Sequence, residues 1–290
     1  MTSATLTPSV NPGRPAGNRR SARGARSGGQ PLSRVSGLGL GVAMLWFSLL
    51  VLIPLAAVVA VAGSDGWGGF WEAVTAEQTL ASIRLTVFTS VGVTLVNVVM
   101  GTLIAWVLVR DRFFGKRVLE VLVDIPFALP TIVAGLVLLS LYGPTSPLGV
   151  NIANTRVAVF VAFLFVTLPF IVRTVQPVLA EIDRDVEEAA ASLGASRFTI
   201  FWRVILPSLT PAITAGAALS FARGVSEYGS LVLLSGNLPM RTEVTSVRIF
   251  SSIENDHLEN AAAVATVLLV ISFAVIVLLD VIQRRTVRRG

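Results

Sequence analysis

The chain lacks cysteine altogether and has a single histidine among its 290 residues. The first absence excludes disulfides, thiolate metal sites and cysteine nucleophiles. The sequence also lacks an H-E-x-x-H helix, a G-x-S-x-G elbow and a G-x-x-x-x-G-K-[S/T] phosphate loop. It therefore offers no recognisable group for hydrolysis or for ATP binding. Charged residues are scarce too, at 14% of the chain.

Apolar residues, by contrast, make up 53% of the chain and gather in six runs of 20 residues or more. A run of about 20 residues, at about 1.5 Å per residue, matches the roughly 30 Å of bilayer hydrocarbon. The sequence therefore predicts an all-α membrane protein with six transmembrane helices. The predicted spans are 38–62, 85–109, 118–142, 157–178, 209–234 and 261–282.

Basic residues are distributed unevenly between the two predicted sides of the membrane. Six arginines precede the first run, four basic residues lie in 110–117 and four follow the last run, against only four on the other side. Lysine and arginine accumulate in cytoplasmic loops. We therefore predict a multi-pass protein of the cytoplasmic membrane with both termini cytoplasmic, and we interpret the basic residues as a topology signal rather than a nucleic-acid site.

Three parts of different composition follow one another along the chain. Residues 1–37 are rich in glycine, proline, serine and arginine and contain no acid, which predicts a disordered basic cytoplasmic leader. Residues 38–284 form the membrane domain, and 285–290 a basic cytoplasmic tail. Ala60-Val61-Ala62 resembles a signal-peptidase site, but the apolar run is longer than the about 7–15 residues of a signal-peptide core, which favours a retained first span.

A polar segment at 183–207 separates the fourth and fifth runs. Acids at its start and a stretch rich in alanine, glutamate and leucine predict a helix. Gly194 ends that helix, because glycine accepts the left-handed backbone that follows a last turn. Ser196 is placed to cap a second helix. We expect Pro207 and Pro211 to mark where the chain turns back into the membrane.

Three aromatic residues of this second helix, Phe198, Phe201 and Trp202, have no obvious cover within so short a segment. An uncovered apolar patch is typical of a surface that binds a partner or lies on the membrane. The residues by themselves leave both alternatives open.

The segment resembles the EAA loop of bacterial ABC-importer permeases, with valine in place of the pattern's isoleucine at 204. In that family the loop is the coupling helix, which docks on a separate cytoplasmic ATPase subunit. The resemblance implies that Phe198, Phe201 and Trp202 face that subunit. The matching residues are Glu188, Ala189, Ala190, Gly194, Val204, Leu206 and Pro207.

Two further stretches, "DIPFALPTIVAGLVL" at 124–138 and "ARGVSEYGSLVLLSGNLPMRTEV" at 222–244, resemble the T-type (CysT-like) permeases of sulfate/thiosulfate importers. This resemblance implies the type I ABC importer permease (MetI-like) fold and a non-catalytic subunit. It also implies a homologous second permease of the W type, two ATPase copies that use ATP and Mg²⁺, and an extracytoplasmic sulfate-binding protein. This chain itself would bind no cofactor.

Two other functions stay open at this point. Molybdate and tungstate permeases of the same family carry a similar Gly-Glu-Phe/Tyr-Gly element, and their substrates are also tetrahedral dianions. A channel or facilitator that works without ATP would leave the EAA spacing unexplained.

Polar residues near the end of the fifth run are candidates for the translocation path. Arg223 and Glu227 are four residues apart and hence share a helical face. A charge at mid-membrane costs roughly 2.5–3.5 kcal/mol, so such residues face the bundle interior. They either pair with each other or, with Ser226, Ser230 and Ser235, line a path for an oxyanion.

The third run is interrupted by Asp124, Pro126 and Pro130. Proline removes a backbone donor and bends a helix. We therefore predict a kink here, with Asp124 as a polar group at a helix end rather than part of a binding site.

Overall fold

The computed structural model describes residues 34–287, with side chains over 36–285. Most of the predicted leader and the last residues of the predicted tail lie outside this range. The chain divides into two units, Met1–Val51 and Leu52–Gly290. In the described residues of the first unit the chain is helical from Arg34 onward.

Every regular element of the described residues is helical, as the sequence predicts. Two of the elements are single π turns, at Ser48–Leu52 and Phe201–Ile205. The α-helices are α1 (Arg34–Phe47), α2 (Ile53–Ala62), α3 (Gly66–Thr75), α4 (Glu77–Arg110), α5 (Lys116–Ala128), α6 (Thr131–Tyr142), α7 (Arg156–Glu181), α8 (Arg184–Ser192), α9 (Arg197–Ile200), α10 (Leu206–Val225), α11 (Gly229–Leu234), α12 (Thr245–Glu254) and α13 (Leu258–Val287).

Five helical stretches of the described chain are long and apolar enough to cross a membrane, and a bent pair of helices makes a sixth when it is counted as one span. The all-α fold is thus confirmed, and the number of spans agrees with six on this count. The five unbroken stretches are Ser36–Ala62, Glu77–Arg110, Arg156–Glu181, Arg197–Val225 and Leu258–Arg285.

The third predicted span is not one helix. The chain bends by 118° between helices α5 and α6. The break lies at Leu129 and Pro130, since proline cannot donate a backbone hydrogen bond and pushes its predecessor into extended backbone. Pro126 lies inside α5 without ending it. The predicted interruption is therefore confirmed, and it is a sharp break rather than a gentle kink.

The prediction for the fifth span was wrong at its far end. Helix α10 stops at Val225, and the residues up to Leu234 form the separate short helix α11, which packs against α6. Mean hydropathy stays high across 209–234 because only residues 226–228 separate the two helices. Hydropathy therefore located the apolar run but not the point where the backbone leaves the helix.

The core of the second unit is built where α4, α7 and α10 pack against one another. Ile171 of α7 lies at their meeting point and is fully buried. Gly101 of α4 and Gly216 of α10 both face it, and a Cβ at either position would come within 3.2 Å of atoms of Ile171. These glycines let the backbones approach closely, as small residues do between membrane helices.

Polar side chains also join the helices inside this unit. Asn97 Nδ2 of α4 donates to Thr167 Oγ1 of α7 at 2.8 Å. The backbone N–H of Thr245, at the start of α12, donates to Thr86 Oγ1 of α4 at 2.9 Å. All four residues are buried. A polar group in an apolar setting is stable only with such a partner, so these bonds help to set the register of the helices.

We expect Gly101→Ala to lower the melting temperature of the purified protein in detergent. The new Cβ would lie 2.8 Å from Cβ and Cγ2 of Ile171, well inside normal carbon contact. Overpacking of this kind costs about 1–3 kcal/mol, whereas alanine gains at most about 1 kcal/mol over glycine in a helix.

Gly92→Ala is the matched control on the same helix, because its Cβ would meet only Phe160 Cε2 at an ordinary 3.6 Å. It should melt at or above the wild-type temperature. If Gly101→Ala were as stable as Gly92→Ala, the close approach of α4 and α7 would be wrong.

Candidate functional site

The segment at 183–207 folds as the predicted helix–turn–helix. The carboxylate of Asp183 caps α8 by accepting the N–H of Asp185 at 3.1 Å. Gly194 follows the helix with φ of +86°. Its N–H donates to the carbonyl of Ala191, and the N–H of Ala195 donates to that of Ala190. These two bonds form a Schellman motif, which requires a residue with left-handed backbone, here Gly194.

The second helix begins as predicted and then continues further than predicted. Ser196 Oγ accepts the N–H of Thr199 at 3.2 Å and caps it. The helix runs through α9, the π turn and α10 to Val225, so Pro207 and Pro211 do not turn the chain. Proline at 207 has no N–H to offer, and the π turn just before it accommodates the missing bond.

The two faces of this segment differ sharply. Ala190, Ile200 and Ile205 pack into the apolar core, whereas Leu193 is 90% exposed and Phe198 is 72% exposed. The exposed face is called the loop patch below. It consists of Glu188, Ala189, Leu193, Phe198 and Trp202.

Phe201 does not belong to the loop patch, contrary to the interpretation of all three aromatics as uncovered. Its ring packs edge-on against Trp106 of α4, with centroids 5.6 Å apart. Phe198 and Trp202 stay exposed, with ring centroids 5.9 Å apart. The sequence did not reveal this difference because Trp106 lies some 95 residues earlier. Of the remaining motif residues, Leu206 is half-buried and Pro207 is exposed.

An arginine at the end of α4 holds this segment in place. Arg110 Nη2 forms an ion pair with Glu187 Oε1 at 2.5 Å and also donates to the carbonyl of Ile182 at 3.2 Å. Arg184 Nη2 in turn donates to the backbone carbonyl of Arg110 at 3.3 Å. Sequence reasoning had counted Arg110 only as one charge of a basic loop. The segment is thus bonded directly to the end of α4.

The predicted pair of Arg223 and Glu227 is present, with Arg223 Nη2 2.6 Å from Glu227 Oε2. Its setting differs from the prediction, because Glu227 lies beyond the end of α10 rather than inside a span. The other carboxylate oxygen of Glu227 accepts both the N–H and the hydroxyl of Ser230, each at 2.9 Å. The buried Glu227, which precedes the N-cap Tyr228, thus accepts an N–H that is free in the first turn of α11.

The remaining predicted path residues lie around this pair. Ser226 is exposed and donates to the carbonyl of Arg223, whereas Ser230 and Ser235 are buried. The structure therefore brings Arg223, Glu227, Ser226 and Ser230 together, bonded to one another. Their part in a translocation path stays a prediction.

A second charged pair lies between α5 and α7, and sequence reasoning missed it. Arg173 Nε donates to Asp124 Oδ1 at 2.7 Å, and Nη2 reaches the other oxygen of the same carboxylate. Arg173 also donates to Gln176 Oε1 and to the carbonyl of Glu120. Asp124 is therefore not a free helix-end group. Charged residues inside two apolar runs were the available signal, but 49 residues separate the partners.

Known proteins match the chain over most of its length. A family model described as "Binding-protein-dependent transport system inner membrane component" matches residues 97–289. "Sulfate transport system permease protein CysT" of Synechocystis sp. is 44% identical over 84% of this chain and 87% of its own length. The CysT permease of Escherichia coli is 40% identical over 87% of this chain and 94% of its own.

Solved structures agree on the fold. A bacterial alginate ABC transporter, crystallised with an alginate pentasaccharide-bound periplasmic protein, has a chain that matches with a TM-score of 0.72 at 16% identity, over 87% of this chain and 94% of that one. A chain of the MetNI methionine ABC transporter matches with a TM-score of 0.51 at 20% identity, over 74% of this chain and 99% of that one.

At such identities these structures establish the architecture alone, whereas the relatives and the family model establish the lineage. The chain belongs to the inner-membrane components of binding-protein-dependent transport systems, among the CysT permeases, and is a non-catalytic permease subunit of an ABC transporter.

Proposed function

We propose that this chain forms half of the path through which an ATP-driven importer carries sulfate or thiosulfate into the cytoplasm. The relatives named above are sulfate transport permeases that match more than four fifths of the chain, and this supports the substrate. The observation that carries the mechanism is the segment at 183–207. One of its faces is exposed for a partner, and the other is joined to α4 and α10.

The importer contains four kinds of subunit in this proposal. A homologous permease of the W type completes the path, two ATPase copies bind ATP and Mg²⁺, and an extracytoplasmic sulfate-binding protein delivers the anion to loops 143–155 and 235–259. This chain binds no cofactor of its own. The alginate transporter, which was crystallised with a periplasmic protein, supports the general arrangement.

The orientation of the chain follows from its charges. Both termini, the loop at 110–117 and the segment at 183–207 lie in the cytoplasm, because these parts carry most of the lysine and arginine. The loop patch then faces the compartment that holds the ATPase. An exposed apolar patch of this kind is typical of a binding surface.

Force from the ATPase reaches the membrane helices along two routes. The continuous helical stretch Arg197–Val225 has 29 residues and is about 43 Å long. It carries Phe198 and Trp202 of the loop patch near its start and Arg223 near its end. The ion pair of Arg110 with Glu187 leads to α4. Closure of the ATPase pair on ATP would thus move both helices together and open the path outward, and hydrolysis would reset it.

Labelled-sulfate uptake in cells depleted of this chain tests the substrate. Complementation with the wild-type chain should restore uptake, and unlabelled thiosulfate should compete for it. If sulfate uptake were normal without the chain while molybdate uptake fell, the substrate would instead be molybdate or tungstate. Uptake that persists without ATP would favour a facilitator.

Gly194→Val should abolish most of this uptake while the protein still reaches the membrane. A β-branched residue at φ of +86° strains the turn between α8 and α9 by about 1–2 kcal/mol. Gly66→Val is the control, since Gly66 also has positive φ, at +76°, and open space around it but lies far from the loop patch in sequence and outside the loops proposed to receive the anion. Equal uptake by the two variants would contradict a coupling role for this turn.

Leu193→Asp should weaken copurification of the ATPase with this chain. Removal of a central apolar contact from an interface costs about 2 kcal/mol or more, which is about 30-fold in affinity. Leu148→Asp, at a similarly exposed leucine of the predicted outer loop, should retain the ATPase. Loss of the ATPase from both variants, or from neither, would mean that the loop patch is not the docking surface.

A further inference from the structure

The ion pair of Arg173 with Asp124 is more exposed than the pairs Arg110–Glu187 and Arg223–Glu227. Its side chains are 36% and 45% exposed, against 26% and 0% for Arg223 and Glu227. Arg173 lines a cleft of about 490 Å³ between the ends of α4, α5 and α7. Lys116, Glu120, Gln176 and Ala180 also line it.

The depth of this cleft excludes lipid as its cover. Arg173 lies eight residues, about 12 Å, before the end of α7 at Glu181. That end is cytoplasmic in the proposed orientation, so the guanidinium lies within the span of about 30 Å that hydrocarbon occupies. Charged side chains at such depth face protein or water, because lipid cannot solvate them. Because nothing in the described part of this chain covers the open side of the cleft, we take that side to face a water-filled space.

The contacts of Arg173 suit an oxyanion as well as they suit Asp124. Two parallel N–H groups engage the two carboxylate oxygens, which is the geometry in which a guanidinium also binds phosphate-like anions. Gln176 and the backbone carbonyl of Glu120 hold the same guanidinium in position. An anion that displaces Asp124 would meet a guanidinium that is already held in the binding orientation.

The net charge of the cleft suits a transport path that releases its anion rather than a tight binding site. Lys116 also lines it and has no ion-pair partner among the residues that the structure describes. Arg173 and Lys116 are opposed by Asp124 and Glu120, so the cleft is close to neutral when it is empty. A transport path needs contacts weak enough to release the cargo. An arginine that exchanges one oxyanion partner for another meets that condition.

We propose that Arg173 contacts a tetrahedral oxyanion dianion as it leaves for the cytoplasm, and that Asp124 holds the arginine between passages. This inference rests on the proposed function, since it assumes that the chain carries such an anion and that the end of α7 is cytoplasmic. It adds a binding residue outside the group around Arg223.

The absence of native cysteine makes this site accessible to a direct test. In Ala180→Cys the new thiol is the only one in this chain and lies in the cleft without touching the contacts of Arg173. In the assembled transporter in membrane vesicles, an anionic methanethiosulfonate (sulfonatoethyl) and a cationic one (trimethylammonium-ethyl) should label it at similar rates, because the cleft is close to neutral. Added sulfate should slow both reagents several-fold, because it occupies the guanidinium of Arg173.

Variants then assign the protection by sulfate to one residue. Adding Arg173→Gln should remove the protection, and adding Asp124→Asn should produce it at lower sulfate concentration. A purely structural pair predicts that sulfate does not slow labelling in any of these backgrounds. The double variant Arg173→Gln/Asp124→Asn leaves no unpaired charge, so it keeps the test usable if the single variant does not assemble. It should show no protection.

Leu103→Cys is the control at similar depth, seven residues before the end of α4 and on an exposed apolar face. Neither charged reagent should label it. If Ala180→Cys were unlabelled, or labelled at the same rate with and without sulfate, the proposal would be overturned. Labelling does not require transport, so a failure of sulfate uptake by the wild-type chain would count against the proposed function and not against this site.

Discussion

Hydrocarbon offers no hydrogen bonds, so every polar group that this chain carries into a membrane must find its partner within protein or water. Several buried groups of the structure meet this constraint by pairing. Asn97 bonds to Thr167, and Thr86 to Thr245. Glu227 takes a guanidinium on one oxygen and the start of α11 on the other. Each of these bonds joins separate elements and therefore also fixes how the helices are arranged.

The segment at 183–207 is likewise held by pairing, at the edge of the membrane domain. Its inner face is apolar and belongs to the core, and its first helix is tied to α4 by Arg110. Its outer face is apolar too, but nothing in the described part of this chain covers Leu193 or Phe198. A segment anchored on one side and bare on the other is suited to pass a movement from a partner to the spanning helices.

The two charged pairs near the membrane interior differ in what surrounds them. Glu227 is fully buried, and its two carboxylate oxygens bond to Arg223 and to Ser230 at the start of α11. Arg173 and Asp124 are joined by an equally direct bond but remain open on one side. The first pair therefore has the surroundings of a structural element, and the second those of a group that meets water or a passing ion.

Several features of the fold and of the site were predictable because they depend on local chemistry. Apolar runs locate spanning helices by length, glycine at 194 ends a helix through its own backbone freedom, and serine at 196 caps the next through its own hydroxyl. The EAA spacing and the family resemblance likewise depend on short stretches of residues.

The sequence by itself thus determined the helical class, the approximate spans and the helix–turn–helix with its motif. Only the tertiary structure decided the angle between α5 and α6, the end of α10 at Val225, the cover of Phe201 by Trp106 and the union of Arg173 with Asp124. Those features arise from contacts between residues far apart in the chain. Hydropathy and capping report on a residue's immediate neighbours, and they cannot say which distant side chain will complete its hydrogen bonds.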